Sequence, residues 1–262
     1  MFNDFIDNLI KEGKCCFHID YAASTLGKSK EAIRSSIAHM LAKGQLSSPA
    51  KSFYVIVPPE YRKLGCLPAP YFLPYLMESL KLKYYIGLLS AASYYGASHQ
   101  AVQVCQVFIE KKKEPLVCGG VKIKFITKKD ISKTPIKSFN TPKSFIRVST
   151  AEATIMDMLN YISQSGGLNH IVTILSELCE SITPKELKSL IDKQPLLPWK
   201  QRLGYLLDHL EQDRLSKIVE NYLKSQNRVD FIPLYPGIEA DSDCKKNENW
   251  KIIENTNIES DI

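Results

Sequence analysis

Helical spacing of apolar residues dominates the start of the chain. A first helix is predicted from the stripe formed by Phe2, Phe5, Ile6, Leu9 and Ile10. A short helix follows over residues 18–26 and ends at Gly27. A longer helix over residues 29–43 has Ser29 as its N-cap. Its apolar stripe consists of Ile33, Ile37, Met40 and Leu41.

After the third helix the pattern changes from helices to strands. Leu46 leads through SSPAKS into FYVIVPP, a β-branched and aromatic run that ends at two prolines. The resulting order is helix, short helix, tight turn, longer helix and two-stranded ribbon. This is the order of a winged helix-turn-helix, and we therefore predict such a domain over residues 1–65.

The middle of the chain combines an uncharged segment with several strands. Residues 84–100, YYIGLLSAASYYGASHQ, predict a central buried helix that ends at Gly96. Ahead of it, prolines indicate a connector over residues 61–71, followed by a helix over residues 73–82. Beyond it, QVCQVFIE, PLVCGGVKIKFITKK and SFIRVS predict about four strands, with a hairpin turn at Gly119-Gly120.

Helices dominate the chain from about residue 150 to about residue 225. Capping boxes start two of them, Ser149 with Glu152 and Thr183 with Glu186. The final 30 residues are typical of loosely ordered chain, with one strand around Trp250–Ile253 as the alternative. We therefore predict an α+β protein whose second domain, residues 66–262, is a larger mixed α/β domain with a helical C-terminal part.

Composition and charge indicate the compartment of the protein and the kind of partner that it binds. Apolar residues make up 44% of the chain, yet no apolar run has transmembrane length and the N-terminus lacks a signal-peptide pattern. The seven cysteines form no C-x-x-C pair, so the sequence indicates neither a disulfide framework nor a zinc site. Unpaired cysteines are typical of the reducing cytoplasm. Net charge is +3 over residues 1–65, +7 over residues 66–160 and −4 over residues 161–262. A polyanionic partner is therefore expected at the front or middle of the chain.

The third helix is the candidate DNA-binding element. Its first turn is suited to a major groove, where backbone N–H groups and basic side chains face phosphates. Arg34 lies one turn further on, and Lys51 lies at the predicted wing tip. The candidate DNA-binding residues are Lys28, Ser29, Lys30, Arg34, Ser35, Lys51 and Ser52. The alternative interpretation is a protein-interaction module, because Glu31 reduces the positive charge of this face.

Motifs for catalysis, metal binding or cofactor binding are not recognisable in the sequence. We therefore predict no catalytic residue, no metal and no cofactor. For the isolated His99 a structural hydrogen bond is favoured, and for Asp157 a surface or salt-bridged position. Several lysines of the middle region predict either a solvated sheet face or a nucleic-acid contact: Lys111, Lys112, Lys113, Lys122, Lys124, Lys128 and Lys129.

Several motifs occur in order along nearly the whole chain. They are FYVIVPPEYR (53–62), YYIGLLSAASYYGASHQAVQVCQVFI (84–109), VKIKFITKK (121–129), RVSTAEATIMDML (147–159), SGGL (165–168) and QRLGYLL (201–207). With these motifs the chain resembles the AbiEi-type abortive-infection antitoxins, the antitoxin half of type IV toxin–antitoxin pairs. The closing NWKIIENTNIESDI is similar to the C-terminal strand of that family.

The resemblance implies a cytoplasmic phage-defence protein without enzymatic activity. It implies a transcriptional autorepressor whose winged helix binds inverted repeats in its own promoter as double-stranded DNA. It also implies that the C-terminal domain neutralises a nucleotidyltransferase-like toxin without a stable complex. The alternatives are an RNA-acting enzyme that counters the toxin and a protein that binds the toxin directly.

Overall fold

The computed structural model describes residues 2–97, 103–239, 241 and 243–258. They form two compact units. The N-terminal unit contains the residues up to Ile86 together with Gln103–Val148, and the C-terminal unit contains the other described residues. Both units mix helices with strands, so the α+β class is confirmed. The predicted functional boundary after residue 65 stays a prediction.

The N-terminal unit begins with three helices and a small sheet. The helices are α1 (Phe2–Lys11), α2 (Ile19–Leu26) and α3 (Lys30–Ala42), and the strands are β1 (Cys16–His18), β2 (Leu46–Ala50) and β3 (Phe53–Ile56). Strand β3 lies between β1 and β2 and is antiparallel to both. The sequence predicted the helices and the β2–β3 ribbon but missed β1, because three residues are too few to show a strand pattern.

One apolar core holds these elements together. Each helix and each of the three strands contributes to it, through Phe5, Ile6, Leu9, Phe17, Ile19, Ala22, Ile33, Ile37, Met40, Leu46 and Ile56. Phe5 and Phe17 meet edge to face, with ring centroids 5.4 Å apart. The stripe predicted for α3 is therefore its buried side, and the opposite side of that helix faces solvent.

The remainder of the N-terminal unit is a helix and a six-stranded sheet. The helix is α4 (Ala69–Ser79), and the strands are β4 (Tyr85–Ile86), β5 (Val104–Ile109), β6 (Leu116–Cys118), β7 (Val121–Thr127), β8 (Ile136–Asn140) and β9 (Phe145–Ser149). Their order is β6-β7-β5-β4-β9-β8. The hairpin turn at Gly119-Gly120 is confirmed, and α4 begins at Ala69 rather than at residue 73.

The prediction of one central helix over residues 84–100 is wrong. The segment starts as strand β4 and continues as the short helix α5 (Leu88–Ala92) and a 3-10 turn over Ser93–Tyr95. Its residues 98–100 lie outside the described residues. Its burial is confirmed, since Ile86 and Leu88 have no exposed surface. Apolar composition predicts burial but not backbone geometry. Strand β4 forms because β5 and β9, both distant in sequence, pair with it on either side.

The C-terminal unit is mainly helical, as predicted. After α5 it contains α6 (Ala151–Asn160), α7 (Leu168–Leu178), α8 (Pro184–Lys193), α9 (Pro198–His209) and α10 (Asp213–Lys224). A small sheet follows, formed by β10 (Ile232–Pro233), β11 (Lys246–Asn247) and β12 (Ile252–Ile253), with β12 in the centre. The expectation of loose order is thus wrong for these strands, and the alternative of a C-terminal strand is confirmed.

Across the described ranges, no helix combines the length and the apolarity that crossing a membrane requires.

Candidate nucleic-acid interface

Helix α3 presents its first turn to solvent. Ser29 has extended backbone angles, and its Oγ accepts a hydrogen bond from the Ala32 N–H at 3.2 Å. Ser29 is therefore the N-cap, as predicted. Gly27, with a φ of 61°, ends α2 and makes the tight turn that places α3 immediately after it. Lys28, Ser29 and Lys30 are all exposed.

Acidic neighbours reduce the charge of this surface. The Lys30 ammonium group forms an ion pair with Asp20, and Arg34 lies 3.9 Å from Glu31. The hydrogen bond from Lys30 is also the main reason that the pKa of the Asp20 carboxyl group is lowered. Two of the three basic candidates on this face thus already have a carboxylate partner. Lys28 has no ion pair with any residue of the described ranges.

The predicted wing is a tight hairpin between β2 and β3. Lys51 and Ser52 occupy its turn, and Ser52 has a φ of 62°. The Ser52 carbonyl oxygen accepts a hydrogen bond from the Ile19 N–H at 2.9 Å, which ties the turn to the start of α2. Lys51 is exposed, and so is Ser35 on α3. The roles of all seven candidate residues in DNA binding stay predictions.

The lysines of the middle region do not all face the same environment. Lys122 and Lys124 alternate with buried residues along β7 and are exposed. Lys128 instead turns inward. Its Nζ donates hydrogen bonds to the Tyr85 hydroxyl at 3.0 Å and to Thr134 Oγ1 at 2.9 Å, and it lies 5.5 Å from the Tyr85 ring centroid. Lys128 is therefore part of the packing between strands rather than of a basic surface.

The structure tests only one of the two isolated catalytic candidates. Asp157 is fully buried in α6, so of the two expected positions, surface or salt-bridged, the surface position is wrong. The salt-bridged position stays a prediction. Every residue of α6 from Ala151 to Leu159 is buried, which the polar type of Asp157 alone did not reveal. His99 lies outside the described residues.

Residues 149–154, STAEAT, connect strand β9 to helix α6. Thr150, rather than the predicted Ser149, is the N-cap, because the strand continues through Ser149. Ser149 Oγ instead lies 2.7 Å from Thr154 Oγ1. Glu152, which was expected to complete the capping box, accepts a hydrogen bond from the Thr183 N–H at 2.9 Å. The motif therefore joins α6 to the start of α8, where Thr183 is the N-cap as predicted.

The QRLGYLL motif holds the small C-terminal sheet against α9. Gln201 Nε2 donates to the carbonyl oxygens of Asp230 and Lys251, at 2.9 and 3.2 Å. Arg202 donates from Nε to the Leu234 carbonyl oxygen and from a terminal nitrogen to that of Pro233, both at 3.0 Å. These polar side chains are buried and take up backbone acceptors of short, irregular strands. Their role was not predicted from the sequence.

Comparison with known families decides the class of the protein. Residues 85–209 match the family described as the AbiEi antitoxin C-terminal domain. The chain belongs to the AbiEi antitoxins. The matched residues include the Ser149–Thr154 junction and most of the helices of the C-terminal unit. The resemblance predicted from the sequence motifs is confirmed.

A solved structure shares the fold of this AbiEi antitoxin. The chain is similar to the protein described as the "crystal structure of RV2827C protein from Mycobacterium tuberculosis", with a TM-score of 0.68 and 16% identity. The match covers 95% of this chain and 89% of the other. At this identity the likeness concerns the fold. No curated protein sequence matches the chain.

The described part of the antitoxin contains no group of three or more His, Cys, Asp or Glu side chains arranged to hold a metal ion.

Proposed function

We propose that this AbiEi antitoxin is a DNA-binding autorepressor of its own operon and neutralises a nucleotidyltransferase-like toxin in the cytoplasm. In this proposal residues 1–65 form a winged helix-turn-helix that binds inverted repeats as double-stranded DNA. The C-terminal antitoxin domain opposes the toxin without enzymatic activity and without a stable complex. The pair then acts in abortive infection as a phage defence.

The order and exposure of the N-terminal elements support the DNA-binding part. Helix α3 follows α2 after a tight turn, and the β2–β3 hairpin follows α3, which is the arrangement in which α3 serves as a recognition helix. The first turn of α3 is exposed, capped by Ser29 and flanked by Lys28 and Lys30. Uncapped N–H groups and basic side chains at such a turn suit DNA phosphates.

The alternative of an RNA-acting enzyme is less well supported. Its candidate acid, Asp157, has no exposed surface and lies within α6. A fully buried carboxylate does not itself contact an RNA substrate. The polar residues of the family motifs serve instead to join helices and to hold the C-terminal sheet, as Glu152, Gln201 and Arg202 do. The non-enzymatic proposal therefore agrees better with the geometry.

A gel-shift assay on the DNA upstream of the gene tests the repressor proposal. The full chain is expected to shift this duplex in a sequence-preferring and salt-sensitive manner. The double variant Lys28→Ala/Arg34→Ala should weaken the shift by about tenfold or more, since two phosphate or base contacts are lost. Lys43→Ala is the matched control, because Lys43 is also exposed but lies at the other end of α3.

A specific shift that is unchanged in the double variant would assign DNA binding to another surface. The absence of any specific shift would contradict the repressor proposal altogether. The antitoxin part is tested separately, by co-expressing the chain with the proposed nucleotidyltransferase-like toxin and measuring growth. Rescue of growth without co-purification supports the proposal, whereas stable co-purification supports direct toxin binding.

A further inference from the structure

The N-terminal unit contains a pocket that the DNA-binding surface does not use. It has a volume of about 650 Å³ and lies between the C-terminal end of α4, the segment that follows it, and strands β8 and β9. This volume is in the range of small-molecule sites. The side chains that define its chemistry are Glu78, Lys81, Lys83, Tyr84, Phe145 and Arg147.

Three cations line this pocket against one carboxylate. Lys81, Lys83, Arg147 and Glu78 are all exposed. Within the described residues, none of the three cations forms an ion pair. This differs from helix α3, where Lys30 and Arg34 are paired with acids. The pocket therefore has the free positive charge that an anionic group such as a phosphate requires.

An aromatic side chain stands beside these cations. Phe145 is 68% exposed, which is unusual for a phenylalanine and leaves a ring face open. Arg147 follows it by two residues on β9, so both side chains project from the same face of the strand. An exposed ring next to cations is the combination with which proteins bind the bases and phosphates of unpaired nucleotides.

The lining of the pocket includes a buried tyrosine. Tyr84 is only 7% exposed, and burial raises the pKa of its hydroxyl to about 12 although the charge and the backbone of Arg147 lower it. The hydroxyl therefore keeps its proton at neutral pH and remains a hydrogen-bond donor. A donor of this kind can serve a sugar or base oxygen.

We propose that this pocket binds a nucleoside phosphate, with the base stacked on Phe145 and the phosphate held by Lys81, Lys83 and Arg147. The ligand can be a free nucleotide or one unit of a single-stranded nucleic acid, since both offer the same groups. An acidic peptide would use the cations but would leave the Phe145 ring without a partner. This site is separate from the proposed duplex-binding surface of α3.

Titration of the full chain with two probes tests the proposal. One probe is ATP, followed by calorimetry, and the other is a fluorescent eight-residue oligouridylate, followed by anisotropy. We expect saturable binding of at least one probe, which is weakened at least about fivefold in Phe145→Ala, because the base loses its stacking partner. Arg147→Ala should also weaken it, whereas Phe145→Tyr should retain binding. Lys122→Ala is the control for charge, because Lys122 is exposed on β7 outside the pocket.

The outcomes show whether the ligand is a free nucleotide or a single-stranded nucleic acid. Binding of ATP alone identifies a free nucleotide, and tighter binding of the oligonucleotide identifies a single strand. The proposal is overturned if neither probe binds, if Lys122→Ala weakens binding as much as Arg147→Ala, or if an oligo-aspartate peptide competes equally well. Because Phe145 and Arg147 are exposed, their variants should fold, which circular dichroism verifies. They should also retain the gel shift of the duplex, so that failure here and failure of the repressor proposal are distinguishable.

Discussion

The ring of Trp250 lies directly on the backbone of α9 at Gly204. A Cβ atom at position 204 would be 2.0 Å from Trp250 Cζ3, far inside van der Waals contact. The indole Nε1 donates a hydrogen bond to Asp208 Oδ2, one turn further along the helix, at 2.6 Å. Glycine therefore lets the ring approach the helix, and the aspartate fixes its orientation.

We expect Gly204→Ala to destabilise the C-terminal unit by about 1–3 kcal/mol or more, because the added methyl group displaces the ring. Urea denaturation followed by tryptophan fluorescence measures the change. The same substitution in a Trp250→Leu background should cost much less, since no ring then occupies the space. Equal costs in both backgrounds would show that the ring contact is not the reason for glycine at this position.

We expect that replacing Arg202 by lysine lowers the stability of the protein. Its guanidinium group serves two carbonyl oxygens at once, those of Leu234 and Pro233, and is buried. A lysine has one compact nitrogen, so Arg202→Lys is expected to leave an acceptor unsatisfied and to cost about 1–3 kcal/mol in urea denaturation. Arg214→Lys on the exposed side of α10 is the matched control and should be close to neutral.

The stability of the protein should depend on pH through Lys200. This residue is buried, donates to the Gln194 carbonyl oxygen at 2.6 Å and lies 3.8 Å from the Tyr222 ring centroid. Burial lowers the pKa of its ammonium group from 10.5 to about 8. Between these two values the unfolded chain binds more protons than the folded chain, so stability rises with pH in that window.

Wild type is therefore expected to gain stability relative to Lys200→Met as the pH is raised from 8 to about 9.5. Urea denaturation at several pH values measures the difference. Lys188→Met, at an exposed position of α8, is the matched control for the removal of a lysine. A constant difference for Lys200→Met would show that its folded-state pKa is not lowered.

Two glycines of the N-terminal unit allow the energetic cost of backbone strain to be measured apart from the cost of a steric clash. Gly119 has a φ of 57°, and a Cβ there would be 2.4 Å from the Leu64 carbonyl oxygen. Gly13 has a φ of 74°, but nothing lies within 4 Å of its Cβ position. Gly13→Ala should cost about 1–2 kcal/mol from the left-handed backbone alone, and Gly119→Ala clearly more. Thermal denaturation compares the two, and equal losses would contradict the close approach.

Removing acids from the α3 surface should strengthen duplex binding. Glu31→Gln removes the partner of Arg34, and Asp20→Asn removes the partner of Lys30. Each variant is expected to bind the upstream DNA about two- to fivefold more tightly at low salt, with a smaller gain at high salt. Glu220→Gln removes a comparable surface pair with Lys224 on α10 and should leave DNA binding unchanged. Weaker binding by Glu31→Gln would contradict the role of α3.

Local chemistry made the helices predictable. Ser29 and Thr183 are N-caps in the structure because a side-chain oxygen can reach an N–H group only three residues away. The same reasoning misplaced the cap of α6 by one residue. Strand β9 extends through Ser149, and this pairing depends on residues elsewhere in the chain. Glu152 accordingly bonds to Thr183 instead of completing a local box.

The sequence by itself determined the α+β class, most of the helices, the β2–β3 ribbon and the family resemblance, because periodicity, capping and motifs are local properties of the chain. Only the tertiary structure decided that residues 85–86 form a strand, that Lys128 turns inward, that Asp157 is buried and that Gln201 and Arg202 hold the C-terminal sheet. It also assembled the pocket from α4 and β9. These features depend on partners far away in sequence, and the pattern of a single segment carries no information about which partner it will meet.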